Sequence, residues 1–327
     1  MKMIITSFSA GFHAQENVTP IFEDVGGEFV TWHQLPNVDW SSVDAIYCIG
    51  WYVTGMQSLQ QHMDLLKKGV PVIVHWAGSD VLCCRDFAKN VDLSSMWEAL
   101  NQDHVIHTAG RPALAGEVKD FGIRNVTRCH LASRKVYEPM PFQIRAGGVV
   151  DPLCTVYMPP GRLEFFNMDT IMKVAEKCSD ITFILCSFSS PHTQRSILPN
   201  MADWGKLSNN YYDQLIGASN MHLRMVEHDG CSLSIIENCM AGRRVICNQE
   251  YPELPTIPKD VDQIVDCIED YAYIKLPNTR VAEYYRREFG PEKQREIILT
   301  ILKEKGVYDG YINRVEEART GGIKEEV

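Results

Sequence analysis

Apolar residues in this chain fall into short runs separated by patterns at helical spacing, and the two alternate almost from the start. Residues 1–8 open with an apolar run that predicts a buried strand, turned by Ser9-Ala10-Gly11. A second such run covers residues 43–49. Met56, Leu59, Met63 and Leu66 then recur every three or four positions, which predicts a helix through Lys68 stopped by Gly69. Val70-Pro71-Val72-Ile73-Val74 follows as the next strand, and strand–helix–strand order at this spacing argues for right-handed parallel connections. Residues 96–100 read as helix, 105–107 as a short strand, and 112–121 as a helix that begins at Pro112 and ends at Gly122.

Three prolines and two glycines between Pro139 and Pro152 form the best linker candidate, which sets a domain boundary near residue 150. The same alternation resumes beyond it. Residues 155–158 and 181–186 read as strands, 169–178 as an amphipathic helix, and 187–196 as a polar loop. A short helix over 210–219 leads into residues 221–248, a strand, a tight loop, a helix stopped at Gly242, and a strand over 244–247. Residues 281–305 read as one charged helix, and 316–327 as a frayed end. The expected class is therefore α/β, with domains at residues 1–150 and 151–327 built on parallel sheets.

Composition narrows the function classes. At 327 residues the chain suits two domains. With 45% hydrophobic and 23% charged residues it has the profile of a soluble globular protein. Its net charge of −10 argues against generic polyanion binding. No apolar run is long enough to span a bilayer, so no transmembrane segment is expected. The expected location is the cytoplasm, with peripheral attachment at a membrane left open. Eleven scattered cysteines, with no C-x-x-C and no zinc spacing, read as buried thiols. Asp260-Val261-Asp262 precedes Ile264, Val265 and Ile268 at helical spacing, so it reads as the acidic start of a helix and not as a metal site. No metal is expected.

The chemistry concentrates in the 221–248 segment. Asp229-Gly230-Cys231-Ser232 lies just before a helix, where backbone N–H groups lack partners and the helix dipole favours an anion, a diphosphate included. Glu237 follows Asp229 by eight positions. Ser234-Ile235-Ile236-Glu237 also has the form of a capping box, in which Glu237 would only bond the helix start. The Rossmann fingerprint G-x-G-x-x-G is absent, which counts against a dinucleotide dehydrogenase.

Asp229-x7-Glu237 with Gly230, followed by Ala241-Gly242-Arg243-Arg244-Val245-Ile246, resembles the donor-site motif of retaining, GT-B-type nucleotide-sugar glycosyltransferases, those of group 1 or family 4. Pro159-Pro160-Gly161-Arg162-Leu163 resembles that family's glycine–arginine loop, and His75-Trp76-Ala77-Gly78-Ser79-Asp80 resembles a segment found after a strand in some members. The resemblance implies two Rossmann-like domains whose parallel sheets face a central cleft, with a final helix crossing back. It implies transfer of a sugar from a nucleoside-diphosphate donor to a hydroxyl, with retention and without metal or other cofactor. Carried over by position, Asp229 touches the donor sugar and Glu237 holds the ribose. Gly230, Cys231, Ser232 and Leu233 offer amides to the diphosphate, Arg162 neutralises it, and His75 lies near the transferred sugar.

Gly11 is a weaker donor-side candidate that also reads as a plain turn. Ser79 and Asp80 are weaker acceptor-side candidates, with a helix cap as the alternative. His75 also reads as a hydrogen-bonded structural histidine, and Arg162 as a surface residue. The family has glutamate at position 229 and alanine after Glu237, where this chain has Asp229 and Asn238. It has lysine at position 167, where this chain has Asn167 in the donor-binding loop, so a replacement cation would have to come from Arg195, Lys206 or Arg224. The expected partners are a nucleoside-diphosphate sugar and an acceptor that is a glycan, a lipid-linked group, a small molecule or nucleic acid. The competing expectations are a catalytically inactive nucleotide or nucleotide-sugar binding protein of the same fold, and a glycosyltransferase that modifies nucleic acid.

Overall fold

The computed structural model describes residues 1–8, 14–133, 135–142, 151–159, 161–186 and 195–307. The chain divides into two units, Met1–Lys135 with the segment that begins at Phe289, and Val136–Glu288.

The first unit is built on a six-stranded sheet in the order β2-β1-β3-β4-β5-β6. The strands are β1 Met3–Ser7, β2 Gly27–Phe29, β3 Ala45–Ile49, β4 Val72–Trp76, β5 Val105–Ala109 and β6 Val126–Arg128. All neighbours pair in parallel. β1, β3, β4 and β5 are buried at every position, as expected of central strands covered on both faces. Helices Met56–Leu66, Ser79–Ala88, Ser94–Leu100 and Pro112–Asp120 make the connections. Leu65, Leu66, Val81, Met96, Leu100, Leu114 and Val118 pack against Ile46, Val72 and Val74 of the sheet. Each such side chain contributes roughly 1.5–3 kcal/mol by leaving water.

The expected helix over 281–305 is two helices, Thr279–Phe289 and Pro291–Glu304. The break falls at Gly290-Pro291, because proline has no N–H to continue the ladder and favours a helix start. The second of these helices belongs to the first unit through polar ties as well as packing. Fully buried Gln294 accepts from the Ala132 amide and donates to the Tyr47 hydroxyl, both at 2.8 Å. Arg295 makes a bidentate pair with Asp24 at 2.7 and 2.8 Å.

The second unit carries a six-stranded sheet in the order β12-β11-β7-β8-β10-β9. Its strands are β7 Leu153–Tyr157, β8 Thr182–Cys186, β9 Arg195–Leu198, β10 Met201–Asp203, β11 Met221–Arg224 and β12 Arg244–Cys247. All pairs are parallel except the β9–β10 hairpin. Part of the expected 187–196 loop is therefore strand β9, and residues 187–194 lie outside the described residues. Helices Met168–Lys177 and Val261–Ala272 bury Ile171, Val174, Ile264 and Ile268 against Val156, Phe183 and Leu223. Asp260 caps the latter helix by accepting from the Gln263 amide at 3.0 Å, and Asp262 pairs with Lys177.

The expected boundary near 150 falls in residues 143–150, outside the described residues, while the two units part at 135/136. The described half of the proline-rich segment is anchored. Tyr137 and Phe142 are buried, and fully buried Arg243 donates to the Met140 and Gly217 carbonyls at 3.1 and 3.0 Å with its guanidinium over the Phe142 ring. Burial lowers the Arg243 pKa to about 10.

Gly242 has φ +74°, and a Cβ there would lie 2.7 Å from Pro277 Cβ. Gly116 lies inside helix Pro112–Asp120 with open space around the same position. Gly242→Ala is expected to cost about 1–3 kcal/mol of stability, and Gly116→Ala to gain about 0.5–1 kcal/mol. Urea unfolding of the two variants checks the opposite signs.

Candidate functional site

In parallel α/β sheets ligands bind beyond the carboxyl ends of the strands. In the second unit three such ends lie side by side, because β11 pairs with both β7 and β12. β7 ends at Tyr157 and leads to Arg162. β11 ends at Arg224 and leads to Asp229, and β12 ends at Cys247 and leads to Asn248.

These loops are sewn together. The Glu227 amide donates to the Phe165 carbonyl at 2.9 Å. Asn248 accepts from the Val226 amide and donates to the Val226 carbonyl, both at 2.8 Å. Asn167 donates to the Met225 carbonyl at 3.4 Å. Asn167 holds φ 52° and ψ 46° just before helix Met168–Lys177, a left-handed conformation that asparagine adopts more readily than lysine. Asparagine at this position thus has a local account: it shapes the backbone and ties two loops.

Asp229 is held by Arg224. The guanidinium reaches both carboxylate oxygens, Nε to Oδ2 at 2.7 Å and Nη2 to Oδ1 at 3.3 Å. The side chains are 9% and 4% exposed, which makes this a buried pair and not a surface one. The guanidinium also lies 5.6 Å from the Tyr157 ring centre and 5.3 Å from that of Phe166, a cation–π arrangement on the neighbouring loop. Burial works against the Arg224 charge, and the Asp229 carboxylate more than restores it, so its titration lies above the ordinary value. Arg224 was a candidate substitute for the family lysine; here its charge is balanced by Asp229. Of the other two candidates, Lys206 is exposed, and Arg195 begins β9.

Arg162 differs. It is exposed, it lies over the Phe165 ring at 5.9 Å, and it has no carboxylate partner among the described residues. Lys259, which also approaches this side, pairs with Glu227 at 2.5 Å.

Helix Leu233–Met240 begins after Ser232, whose side chain makes no capping bond. The capping box of Ser234 and Glu237 does not form, because Ser234 lies inside the helix. Its hydroxyl bonds Ser232 Oγ at 2.9 Å and His222 Nε2 at 3.0 Å. Burial, with the Arg224 charge, lowers the His222 pKa to about 3, so this imidazole is neutral. Glu237 is 6% exposed in the middle of the helix. Gly230 is buried and Cys231 partly buried, both in the turn ahead of the helix, with Leu233 its first residue. The Ser232 amide already donates to the Tyr251 hydroxyl at 2.7 Å, a partner that nothing in the local sequence pattern announces.

The remaining candidates belong to the first unit. Gly11 lies outside the described residues. His75 is 1% exposed within β4, its Nδ1 3.0 Å from Thr108 Oγ1 and 3.4 Å from the Tyr47 hydroxyl. This is the geometry of a hydrogen-bonded structural histidine, and burial first, then the nearby His130, lowers its pKa to about 3. Asp80 is fully buried and accepts from the amides of Trp51, Ala77, Gly78 and Val81 at 2.8–3.1 Å, so it fixes the β4 turn. Ser79 bonds the Tyr52 hydroxyl at 2.7 Å. Among the described residues no group of three or more His, Cys, Asp or Glu side chains could hold a metal ion, and no helix is long and apolar enough to cross a membrane.

No family model matches the sequence, and no curated protein matches it. Solved structures do match the fold. HepE of Anabaena, solved in complex with UDP and glucose, superposes with a TM-score of 0.65 at 12% identity, covering 93% of this chain and 100% of HepE. Sucrose-phosphate synthase of Thermosynechococcus elongatus gives 0.67 at 12% identity, over 94% and 100%. A glycosyltransferase of Rickettsia africae gives 0.63 at 10% identity, over 94% and 99%. The chain has the GT-B architecture of these glycosyltransferases, with a Rossmann-like parallel sheet in each unit.

Arg224→Met removes the charge that balances the buried Asp229 carboxylate and is expected to cost about 3–5 kcal/mol, most of it recovered in Arg224→Met/Asp229→Leu. Chemical denaturation of both variants decides it. Neutral buried His62 and His75, with pKa values near 3, and His107, near 4, are charged more readily once unfolded. Their depressed values give stability that is complete above the unfolded pKa of about 6.5 and is lost as pH falls toward 4 and 3. Each is expected to contribute a slope approaching about 1.4 kcal/mol per pH unit in that window, and His75→Asn to show a shallower slope in pH-dependent urea unfolding.

Proposed function

We propose that this protein is a glycosyltransferase that moves a sugar from a nucleoside-diphosphate donor to a hydroxyl acceptor. The observation that carries this reading is local. Arg162, without a carboxylate partner among the described residues, lies on a loop hydrogen-bonded to the one that leads through Gly230–Leu233 into a helix start. Both loops follow the carboxyl ends of adjacent parallel strands, in a fold shared with a protein solved with UDP and glucose.

The chemical demand in such a transfer is charge. As the glycosidic bond breaks, the leaving diphosphate gains negative charge, and preorganised donors aimed at it lower the barrier. Arg162 supplies an exposed positive charge, and the amides of Gly230, Cys231 and Leu233 supply fixed dipoles. The Ser232 amide joins them only if the Tyr251 hydroxyl gives it up. Glu237 takes the ribose hydroxyls. Asp229, gripped by Arg224, keeps the loop in position beside the sugar and so acts through orientation. Retention of configuration and a reaction without resident cofactor or metal complete the reading by family resemblance. The anomer of the product, read by NMR, tests the retention.

A second reading is favoured by the Arg224 hold on Asp229 and the Tyr251 hold on Ser232, which occupy two groups otherwise turned to the donor. In it the protein binds a nucleotide or nucleotide sugar and transfers nothing. Nucleotide binding without turnover on any acceptor would establish it.

A thermal-shift screen of UDP-, GDP- and ADP-sugars is expected to find one that raises the melting temperature, since a ligand present at 100 times its Kd adds about 2.7 kcal/mol. With that donor, Arg162→Ala is expected to lower turnover about 100-fold while leaving the melting temperature unchanged, because the side chain is exposed. Wild-type turnover in Arg162→Ala would contradict the assignment.

A further inference from the structure

Helix Asn209–Ala218 of the second unit starts at Ser208, whose hydroxyl accepts from the Tyr211 amide. It presents two adjacent tyrosines in opposite senses. Tyr211 is 58% exposed, while Tyr212 packs against the cluster of Ile184, Cys186 and Leu215. Cys186 is the last residue of β8, the strand beside β7, so Tyr212 comes to the same carboxyl edge of the sheet as the loops described above. The Tyr212 hydroxyl is buried and has no hydrogen-bond partner among the described residues. A buried hydroxyl without a partner has given up its hydrogen bonds to water and gained none, so such a group calls for an explanation.

Its neighbours suggest one. After burial itself, the Glu237 carboxylate is the strongest influence that keeps this phenol protonated, with Cys186, Tyr137 and Arg224 also within electrostatic reach. A carboxylate that accepts and a phenol that donates or accepts form a pair suited to vicinal hydroxyls. One hydroxyl of a diol can donate to the carboxylate while its neighbour bonds the phenol.

We propose that Tyr212 is a further donor-binding residue, whose hydroxyl bonds a ribose hydroxyl of the nucleotide alongside Glu237. The inference rests on the nucleotide-sugar reading of the site and adds the ribose as the group Tyr212 reads. It requires two effects of opposite sense from one substitution. In the unliganded protein, Tyr212→Phe removes an unpartnered buried hydroxyl, so stability stays the same or rises. In the complex it removes a hydrogen bond, so affinity falls.

The test titrates wild type and Tyr212→Phe with UDP, GDP and ADP, continues with whichever binds wild type most tightly, and adds its 2′-deoxy and 3′-deoxy counterparts, its nucleotide sugar and inorganic pyrophosphate. Tyr212→Phe is expected to melt at or above the wild-type temperature and to bind the nucleoside diphosphate about five- to tenfold more weakly. Pyrophosphate affinity should not change. Wild type should lose a similar factor on one deoxy counterpart, and Tyr212→Phe should not distinguish that counterpart from the ribonucleotide. Equal affinity in wild type and Tyr212→Phe, with Glu237→Gln impaired, would overturn the role of Tyr212 and leave the nucleotide-sugar reading standing. A lower melting temperature without ligand would make the hydroxyl structural and overturn it too. A loss seen with the nucleotide sugar but not with the diphosphate would reassign the contact away from ribose. Failure of every nucleotide to bind wild type would overturn both readings.

Discussion

The second unit depends on one buried ion pair. Arg224, the last residue of β11, reaches five residues ahead along its own chain to grip Asp229, with the aromatic faces of Tyr157 and Phe166 from β7 and its loop against it. A charge this deep is tolerated only if its partner stays in place, so the loop between the two residues has little freedom. The pair thereby couples two neighbouring strand ends and sets where the turn ahead of helix Leu233–Met240 must lie. Asn167 and Asn248 complete the frame with neutral hydrogen bonds to Met225 and Val226.

That frame separates groups already committed from groups still able to meet a ligand. Arg224 and Asp229 satisfy each other, as do Lys259 and Glu227. The Ser232 amide is engaged by Tyr251. Arg162 keeps an exposed positive charge, and Tyr212 a hydroxyl without a partner among the described residues. On the proposed reading these two serve the ends of one ligand, a diphosphate and a ribose, with Glu237 beside the latter. The first unit shows the opposite economy in its polar core. His75, Tyr47, Thr108 and Gln294 bond one another around the middle strands, and Asp80 gathers backbone amides at the end of β4. Such groups hold a sheet and its turn in shape.

The fold was legible where burial is complete. β1, β3 and β4, and most of β8 and β12, are short runs dominated by apolar residues because their faces are covered, and their alternation with helices prescribes parallel order. The shortest strands were not legible. β2, β6 and β10 have three residues each, too few for any period to show. The Gly290-Pro291 break carried its own signal, a proline at a helix start. In the site, the positions of Arg162, Asp229 and Glu237 on strand-end loops and a helix could be read from local pattern. The Arg224–Asp229 grip, the Tyr251 bond to Ser232 and the left-handed turn at Asn167 could not, because each depends on where a loop places a side chain. The capping-box pattern of Ser234 and Glu237 misled for the same reason. The helix starts after Ser232, and its first serines bond each other and His222.

The most direct measurement of the central claim is amide hydrogen exchange on the whole chain, with and without a saturating nucleoside diphosphate chosen from UDP, GDP and ADP. The account predicts added protection in residues 161–167 and at Cys231 and Leu233, the loop of the unpaired arginine and the entry to the helix, with pyrophosphate giving part of the same footprint. Binding that leaves both segments unchanged and protects amides elsewhere would contradict it.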